Sequence, residues 1–233
     1  MARAVVLLSG GMDSATTLAL ALRDGFECHA LTIRYGQKNT RELECAALVA
    51  RVLGAASHRF AEVDLAVPGA SALTDLLIPV PRRGPDEPTG LGIPPTYVPA
   101  RNAVLLCVAL SYAEVLGALD LFLGINAVDF SGYPDCRPTF LEAFETMANL
   151  ATRLGVEGRR FRVHAPLIRM SKSEIVRTAL VLGVDLGLTL SCYDPGPGGR
   201  PCGACDACRI RARGFREAGV SDPALGGESE RKA

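Results

Sequence analysis

Residues 4 to 8, AVVLL, form a short unbroken apolar run, and the residues behind it, SGGMDSATT, turn at once into helical spacing. A run of this length without polar alternation suits a parallel strand covered on both faces. Such a strand needs a crossover before its parallel neighbour, and the spacing supplies one. After Asp13, read as the N-cap, Ala15, Leu18, Ala19 and Leu22 recur at i, i+3, i+4, i+7, and Gly25 offers a stop. The rhythm repeats. CHALTIRY (28–35) reads as a second strand, TRELECAALVARVLG (40–54) as a helix with Leu43, Ala46, Ala47, Ala50 and Leu53 inward, and RFAEVDL (59–65) as a third strand. It resumes with a helix from Arg101 to Gly117, the strand LDLFLGI (119–125), a helix from Thr139 to Leu154 and a short strand near FRVHAPL (161–167). A last helix opens on SKSEI, where Ser171 and Glu174 make a capping box, and closes at Gly183. The alternation predicts an α/β fold with a doubly wound, mostly parallel, Rossmann-like sheet, in which ligands bind beyond the carboxyl ends of the strands.

At 233 residues and 48% hydrophobic, the chain suits one such unit with a small appendage. The expected division is an α/β domain over 1–188 and a cysteine-bearing segment over 189–233. Residues 66–100, which include PVPRRGPDEPTGLGIPP, interrupt the rhythm as a long insertion loop of the kind often used as a lid. The formal charge is zero, which argues against a broad nucleic-acid surface. No apolar run approaches a membrane span, and MARAVVLLSGG lacks the parts of a secretion signal, so the expectation is a cytoplasmic protein.

A glycine-rich turn between first strand and first helix aims unpaired N–H groups and the positive end of the helix dipole at one point, which suits phosphate. The stretch has neither the lysine of a Walker A loop nor the spacing of G-x-G-x-x-G. Its pattern is S-G-G-x-D-S, at Ser9, Gly10, Gly11, Asp13 and Ser14. At the other end, Cys192, Cys202, Cys205 and Cys208 have spacing that lets four thiolates converge on one ion. A closed tetrahedral shell would make a structural Zn²⁺ site, with an iron–sulfur cluster as the rival. Arg200, Arg209, Arg211, Arg213 and Arg216 around the cluster read as a solvated basic helix. Cys28, Cys45 and Cys107 sit singly in apolar patterns as core, and Cys136 has no base beside it in sequence to make it a nucleophile.

The S-G-G-x-D-S turn resembles the pyrophosphate loop of ATP-dependent adenylating enzymes. Beyond it, SGGMDS, YGQKN, YVPARN, GINAVDFSGYPDCR, APLIRMSKSEI, LGVDLGLTLSCY and PCGACDACRIR occur in order, and by them the chain is identified as a member of the 7-cyano-7-deazaguanine synthase family of queuosine biosynthesis. The resemblance implies an adenine nucleotide α-hydrolase-like fold and a ligase that converts 7-carboxy-7-deazaguanine and ammonia to the nitrile, with ATP, Mg²⁺ and structural Zn²⁺. It implies that Leu8, Ser9, Gly10, Gly11, Met12, Asp13, Ser14, Ala15, Thr16, Thr17 and Leu18 make the ATP-binding stretch, joined by Arg101 and Lys172. Asp13 and Lys172 are then the catalytic candidates, Asp13 toward Mg²⁺ and Lys172 toward phosphate. Asp129, Tyr133, Asp135 and Arg137 are the candidate substrate contacts, and a homodimer is the implied assembly. The chain departs from the family pattern at Arg34, where Asp is common, at Asn39, where His is common, and at Leu190, where Trp is common. The rival readings are a tRNA-modifying enzyme of the same superfamily, and a relative that binds nucleotide without this chemistry or that modifies another protein.

Overall fold

The structure is a computed structural model that describes residues 1–84, 92–126 and 132–225. Five strands form one parallel sheet: β1 (Arg3–Leu7), β2 (Glu27–Arg34), β3 (Ser57–Glu62), β4 (Asp120–Phe122) and β5 (Arg162–His164), in the order β3-β2-β1-β4-β5. The chain winds outward from β1 through β2 to β3, then returns to β1's other side at β4. The carboxyl ends of β1 and β4 therefore flank the topological switch point where such sheets bind ligands. Strand periodicity divides β1 between two cores: Ala4 and Val6, with Leu8 just past the strand, face one, and Val5 and Leu7 the other. The first core is closed by α1 (Met12–Arg23), α2 (Arg41–Leu53) and two later helices; the second is closed by α3 (Arg101–Leu116) and α4 (Pro138–Ala151).

The sequence expectations hold for the order and type of these elements and shift in detail. The first helix has Gly11, not Asp13, at its N-cap, and no side chain caps it. Asp13 lies inside the first turn, so its carboxylate is free to point into the site. Along α2 the buried positions are Leu43, Ala46, Val49 and Ala50, while Ala47 is exposed. The helix expected over 139–154 breaks at Thr152, which adopts an extended conformation and caps a short α5 (Arg153–Val156) by accepting from Gly155 N. The capping box forms as read: Ser171 Oγ accepts from Glu174 N at 3.3 Å and Glu174 Oε2 from Ser171 N at 2.7 Å, opening α6 (Lys172–Val181).

Among its described residues, the segment 66–100 carries no helix or named strand, but it is anchored. Ala72 and Val80 pack with Cys192, Cys205 and Cys208, and Leu73 and Val98 pack with Tyr35. The cysteine segment ends in α7 (Asp206–Ala218), whose Phe215 enters the first core. Arg211 on this helix overturns the reading of a wholly solvated basic face. It is buried, with Nε and Nη2 on the two carboxylate oxygens of Asp222 at 2.7 and 2.9 Å, and its other donors reach Thr189 and the Leu186 carbonyl. Among the described residues no helix is long and apolar enough to cross a membrane.

Candidate active site and cysteine cluster

A cavity of about 270 Å³ opens at the switch point. Its wall includes Leu7 at the end of β1 and Ser9 after it, Leu31 and Ile33 of β2, Leu123 and Ile125 after β4, and the first turn of α1. The apolar strand ends offer a flat surface for a planar base, and the uncapped helix end supplies the polar side.

Side chains hold the turn from within. Ser14 Oγ donates to the Gly11 carbonyl at 3.0 Å, accepts from Ser9 N at 3.1 Å and lies 3.1 Å from Ser9 Oγ. Two glycines are required by close approach. A methyl group on Gly10, at φ +86°, would lie 2.2 Å from the Glu42 carbonyl, so the first turn of α2 rests directly on the loop. One on Gly124 would lie 2.8 Å from Ser14 N, so the chain just past β4 runs hard against the start of α1. Gly11 meets nothing nearer than Ser9 Oγ at 3.4 Å.

Asp13 and Lys172, 159 positions apart, meet in the cavity wall: Lys172 Nζ donates to Asp13 Oδ2 at 2.6 Å, and Asn126 Nδ2 donates to the same oxygen at 3.1 Å. Asp13 Oδ1 is buried with no hydrogen-bond partner. A buried, unsatisfied carboxylate oxygen is costly unless a ligand or ion completes it. Lys172 is the first residue of α6, and Gly214 of α7 makes room for its stem: a methyl there would sit 2.5 Å from Lys172 Cγ.

The other expected site residues are distributed unevenly. Leu8, Ser9, Gly11, Met12, Asp13 and Ser14 line the cavity, as do Arg101 and Lys172. Gly10 lies behind the turn, its carbonyl accepting from Leu190 N at 3.0 Å. Ala15, Thr16, Thr17 and Leu18 are buried away from the cavity wall and fix the helix; Thr16 Oγ1 donates to the Met12 carbonyl at 2.7 Å. Arg101 lies over the Tyr35 ring, 5.4 Å from its centroid, and donates to Tyr35 Oη at 3.2 Å. Tyr133 lines the cavity, with its hydroxyl 3.0 Å from Thr96 Oγ1 and its ring stacked on Tyr97. Asp135 is turned instead to the start of α3, where Oδ2 accepts from Asn102 N at 2.8 Å. Arg137 is exposed at the N-cap of α4, and Asp129 lies outside the described residues.

Sequence reasoning missed Glu42, Gln37 and Tyr35. Glu42 lines the cavity, Gln37 Nε2 donates to its Oε1 at 2.9 Å, and Gln37 Oε1 accepts from Tyr35 N at 2.8 Å. Burial pushes the Glu42 carboxyl up to about 7, against the opposing pull of the Gln37 donor and the Arg101 charge. The quoted YGQKN contained two of the three residues, but nothing local tied them to α2.

Cys192, Cys202, Cys205 and Cys208 bring their sulfurs within 4.8 Å of one another, so the segment forms a group able to hold a metal ion. Backbone donors already point at two of them, Cys202 N to Cys192 Sγ at 3.2 Å and Cys205 N to Cys202 Sγ at 3.3 Å. Such donors favour the thiolate form that a metal requires. Asn39, one of the departures from the family pattern, donates to the Cys192 carbonyl at 2.8 Å and so steadies the first ligand.

Comparison with known proteins agrees with this geometry. The family model described as "Queuosine biosynthesis protein QueC" matches residues 3–219. The 7-cyano-7-deazaguanine synthase of Methylococcus capsulatus is 58% identical over 96% of this chain and 98% of its own. That of Xylella fastidiosa is 59% identical over 96% and 94%. Among solved structures, a 4-thiouridine synthetase bound to RNA and ATP matches 97% of this chain and 51% of its own at 22% identity and a TM-score of 0.52, a likeness of fold. With the family model spanning nearly its whole described length, the chain belongs to the QueC family of queuosine biosynthesis proteins.

Proposed function

We propose that this chain is an ATP-dependent ligase that makes 7-cyano-7-deazaguanine from 7-carboxy-7-deazaguanine and ammonia. The observation that carries this reading is the pair Asp13 and Lys172 beside an uncapped helix end, a constellation built for a polyphosphate leaving group. A carboxylate oxygen is a poor leaving group, so the carboxylate first attacks the α-phosphate, releasing pyrophosphate and leaving an acyl adenylate. Ammonia displaces AMP to give the amide. A second ATP activates the amide oxygen, and loss of AMP leaves the nitrile. The turn from Ser9 to Ser14 and Lys172 receive the charge that develops on pyrophosphate, and Arg101 adds a further cation to the wall. Tyr133, on the cavity wall, offers an aromatic side chain on which the flat face of the deazaguanine ring can stack.

The unsatisfied Oδ1 of Asp13 fits an ion-binding oxygen, and Mg²⁺ held there would neutralise phosphate charge. For the cysteine cluster the fitting ion is Zn²⁺: bonds of about 2.3 Å in a tetrahedron place thiolates roughly 3.8 Å apart, and Cys202 Sγ and Cys208 Sγ stand at 4.0 Å. A cluster of several irons spreads its thiolates over separate metals and wider distances. Four thiolates leave no open position, so the ion is structural. The enzyme works in the cytoplasm, where reduced thiols persist. It works as a homodimer, a reading supported by α3, which has no charged residue between Arg101 and Glu114 and exposes Val115. The deciding experiment supplies Mg·ATP, ammonium and 7-carboxy-7-deazaguanine, follows nitrile by mass and resolves the nucleotides. AMP with pyrophosphate is the expected outcome; ADP with phosphate refutes it.

A further inference from the structure

Amide formation from an acyl adenylate releases a proton from nitrogen, and something in the cavity must take it. The described groups of the wall leave few acceptors. Asp13 Oδ2 is occupied by Lys172 and Asn126, and its other oxygen suits a cation. Cys136 Sγ takes a hydrogen bond from Asn102 Nδ2 at 3.0 Å, and Cys192 belongs to the metal cluster. Burial holds the Tyr35 phenol above its ordinary value, so it keeps its proton near neutrality, Tyr133 Oη is engaged with Thr96 Oγ1 at 3.0 Å, and no histidine lines the cavity among the described residues. Glu42 remains. Gln37 holds one of its oxygens from a bond anchored on Tyr35 N, and its backbone carbonyl lies against Gly10 of the phosphate turn.

We propose that Glu42 is the catalytic base that takes the proton of the attacking nitrogen when ammonia displaces AMP, a role that rests on the adenylation reading above. The carbon–nitrogen bond forms with the lone pair of NH3. The carbon–oxygen bond to AMP breaks, its electron pair leaving on the AMP phosphate, and one nitrogen proton passes to the Glu42 carboxylate. An acyl adenylate, NH3 and an ionised Glu42 thus become an amide, AMP and a protonated Glu42, with charge conserved. The carboxyl, raised to about 7 by burial, has the proton affinity a base needs near neutral pH. The other charged or titratable groups around it are Arg101, Tyr35, Tyr133, Tyr193, Cys136, Cys192, the Asp13 and Lys172 pair and Arg211 in the cavity, with Arg41, Glu44 and Cys45 on its own helix.

Glu42→Gln tests this, because the new amide oxygen still accepts from Gln37 while proton affinity is lost. Two rates separate the steps: exchange of labelled pyrophosphate into ATP with the carboxy substrate and no ammonium, and nitrile formation with ammonium. The expected result is exchange close to wild type with nitrile formation reduced about 10²- to 10⁴-fold. In wild type, kcat/KM expressed for free NH3 should fall below about pH 7 as Glu42 protonates. Glu42→Asp should keep that limb at a lower rate, and Glu42→Gln should lose it. Exchange and nitrile formation falling together would place Glu42 in nucleotide or deazaguanine binding and overturn the proposal; so would unimpaired nitrile formation in Glu42→Gln. Wild-type protein that yields ADP and no exchange would instead sink the adenylation reading itself. Metal content and far-ultraviolet circular dichroism of each variant show that the fold is kept.

Discussion

Gly124→Ala isolates the contact that positions the helix end. The added methyl would sit 2.8 Å from Ser14 N, 2.9 Å from Asp13 C and 3.0 Å from Asp13 O, all backbone atoms of the first turn of α1. No flexible side chain can yield there, so helix and strand must separate by roughly half an ångström to reach ordinary contact. Overpacking of this kind costs about 1–3 kcal/mol, offset by the 0.4–1 kcal/mol that alanine gains by restricting the unfolded chain. With backbone atoms on both sides the net cost is about 1–2 kcal/mol, which for a chain of this size lowers the Tm by roughly 2–8 °C. The same displacement moves Asp13 relative to Lys172 and Asn126, so pyrophosphate exchange should fall on the order of 10-fold or more. Gly11→Ala is the control. Gly11 has ordinary extended dihedrals (φ −80°, ψ 161°) and 3.4 Å of room, so without nucleotide its alanine variant should lie within about 1 kcal/mol of wild type. Thermal unfolding and exchange measured side by side decide it. Equal destabilisation by the two substitutions, or a Gly124→Ala protein with wild-type Tm and exchange, would refute the argument from close approach.

Asp13→Ala should lower turnover by at least about 10²-fold while leaving zinc content unchanged, measured by nitrile yield and metal analysis; simultaneous loss of both would point to misfolding. Arg211→Met leaves the buried Asp222 carboxylate unpaired and should cost about 3–5 kcal/mol, read from the urea midpoint. Removing metal with a strong chelator should release one zinc per chain and lower the Tm, and restored zinc should reverse the loss.

Regular elements were legible because periodicity is local. AVVLL and the spacing from Ala15 to Leu22 each contain their own evidence for strand or helix. Misplacements arose where local chemistry had two uses. Asp13 stands in a sequence context that suits an N-cap, but the structure puts Gly11 there and turns the carboxylate toward Lys172. Asp135, in a polar stretch expected at the ligand-binding edge, instead accepts from the backbone at the start of α3. Ala47 and Val49 exchanged places because two small apolar residues in one turn do not fix a helix's rotation. What escaped entirely was long-range. Glu42 becomes a site residue only because Gln37 folds back on it and α2 packs over Gly10, and Arg211 is buried only because Asp222 and the Leu186 carbonyl meet it.

The cysteine segment is more than a staple at the chain's end, because its neighbours hold the glycine turn and the Asp13–Lys172 pair from three directions. Leu190 N donates to the Gly10 carbonyl, Asn39 joins the approach to α2 to the Cys192 carbonyl, and Gly214 admits the Lys172 stem beneath α7. Cys205 is the N-cap of α7 and Cys208 lies in its first turn, so the ligands that would bind the ion also fix where that helix begins. If the cluster loosens, α7 loses its origin, and with it the packing that aims Lys172 at Asp13. A metal ion held by the four thiolates would then act on the proposed catalysis at a distance, through the position of the Lys172 ammonium group, although a closed four-thiolate shell would give it no means of touching substrate.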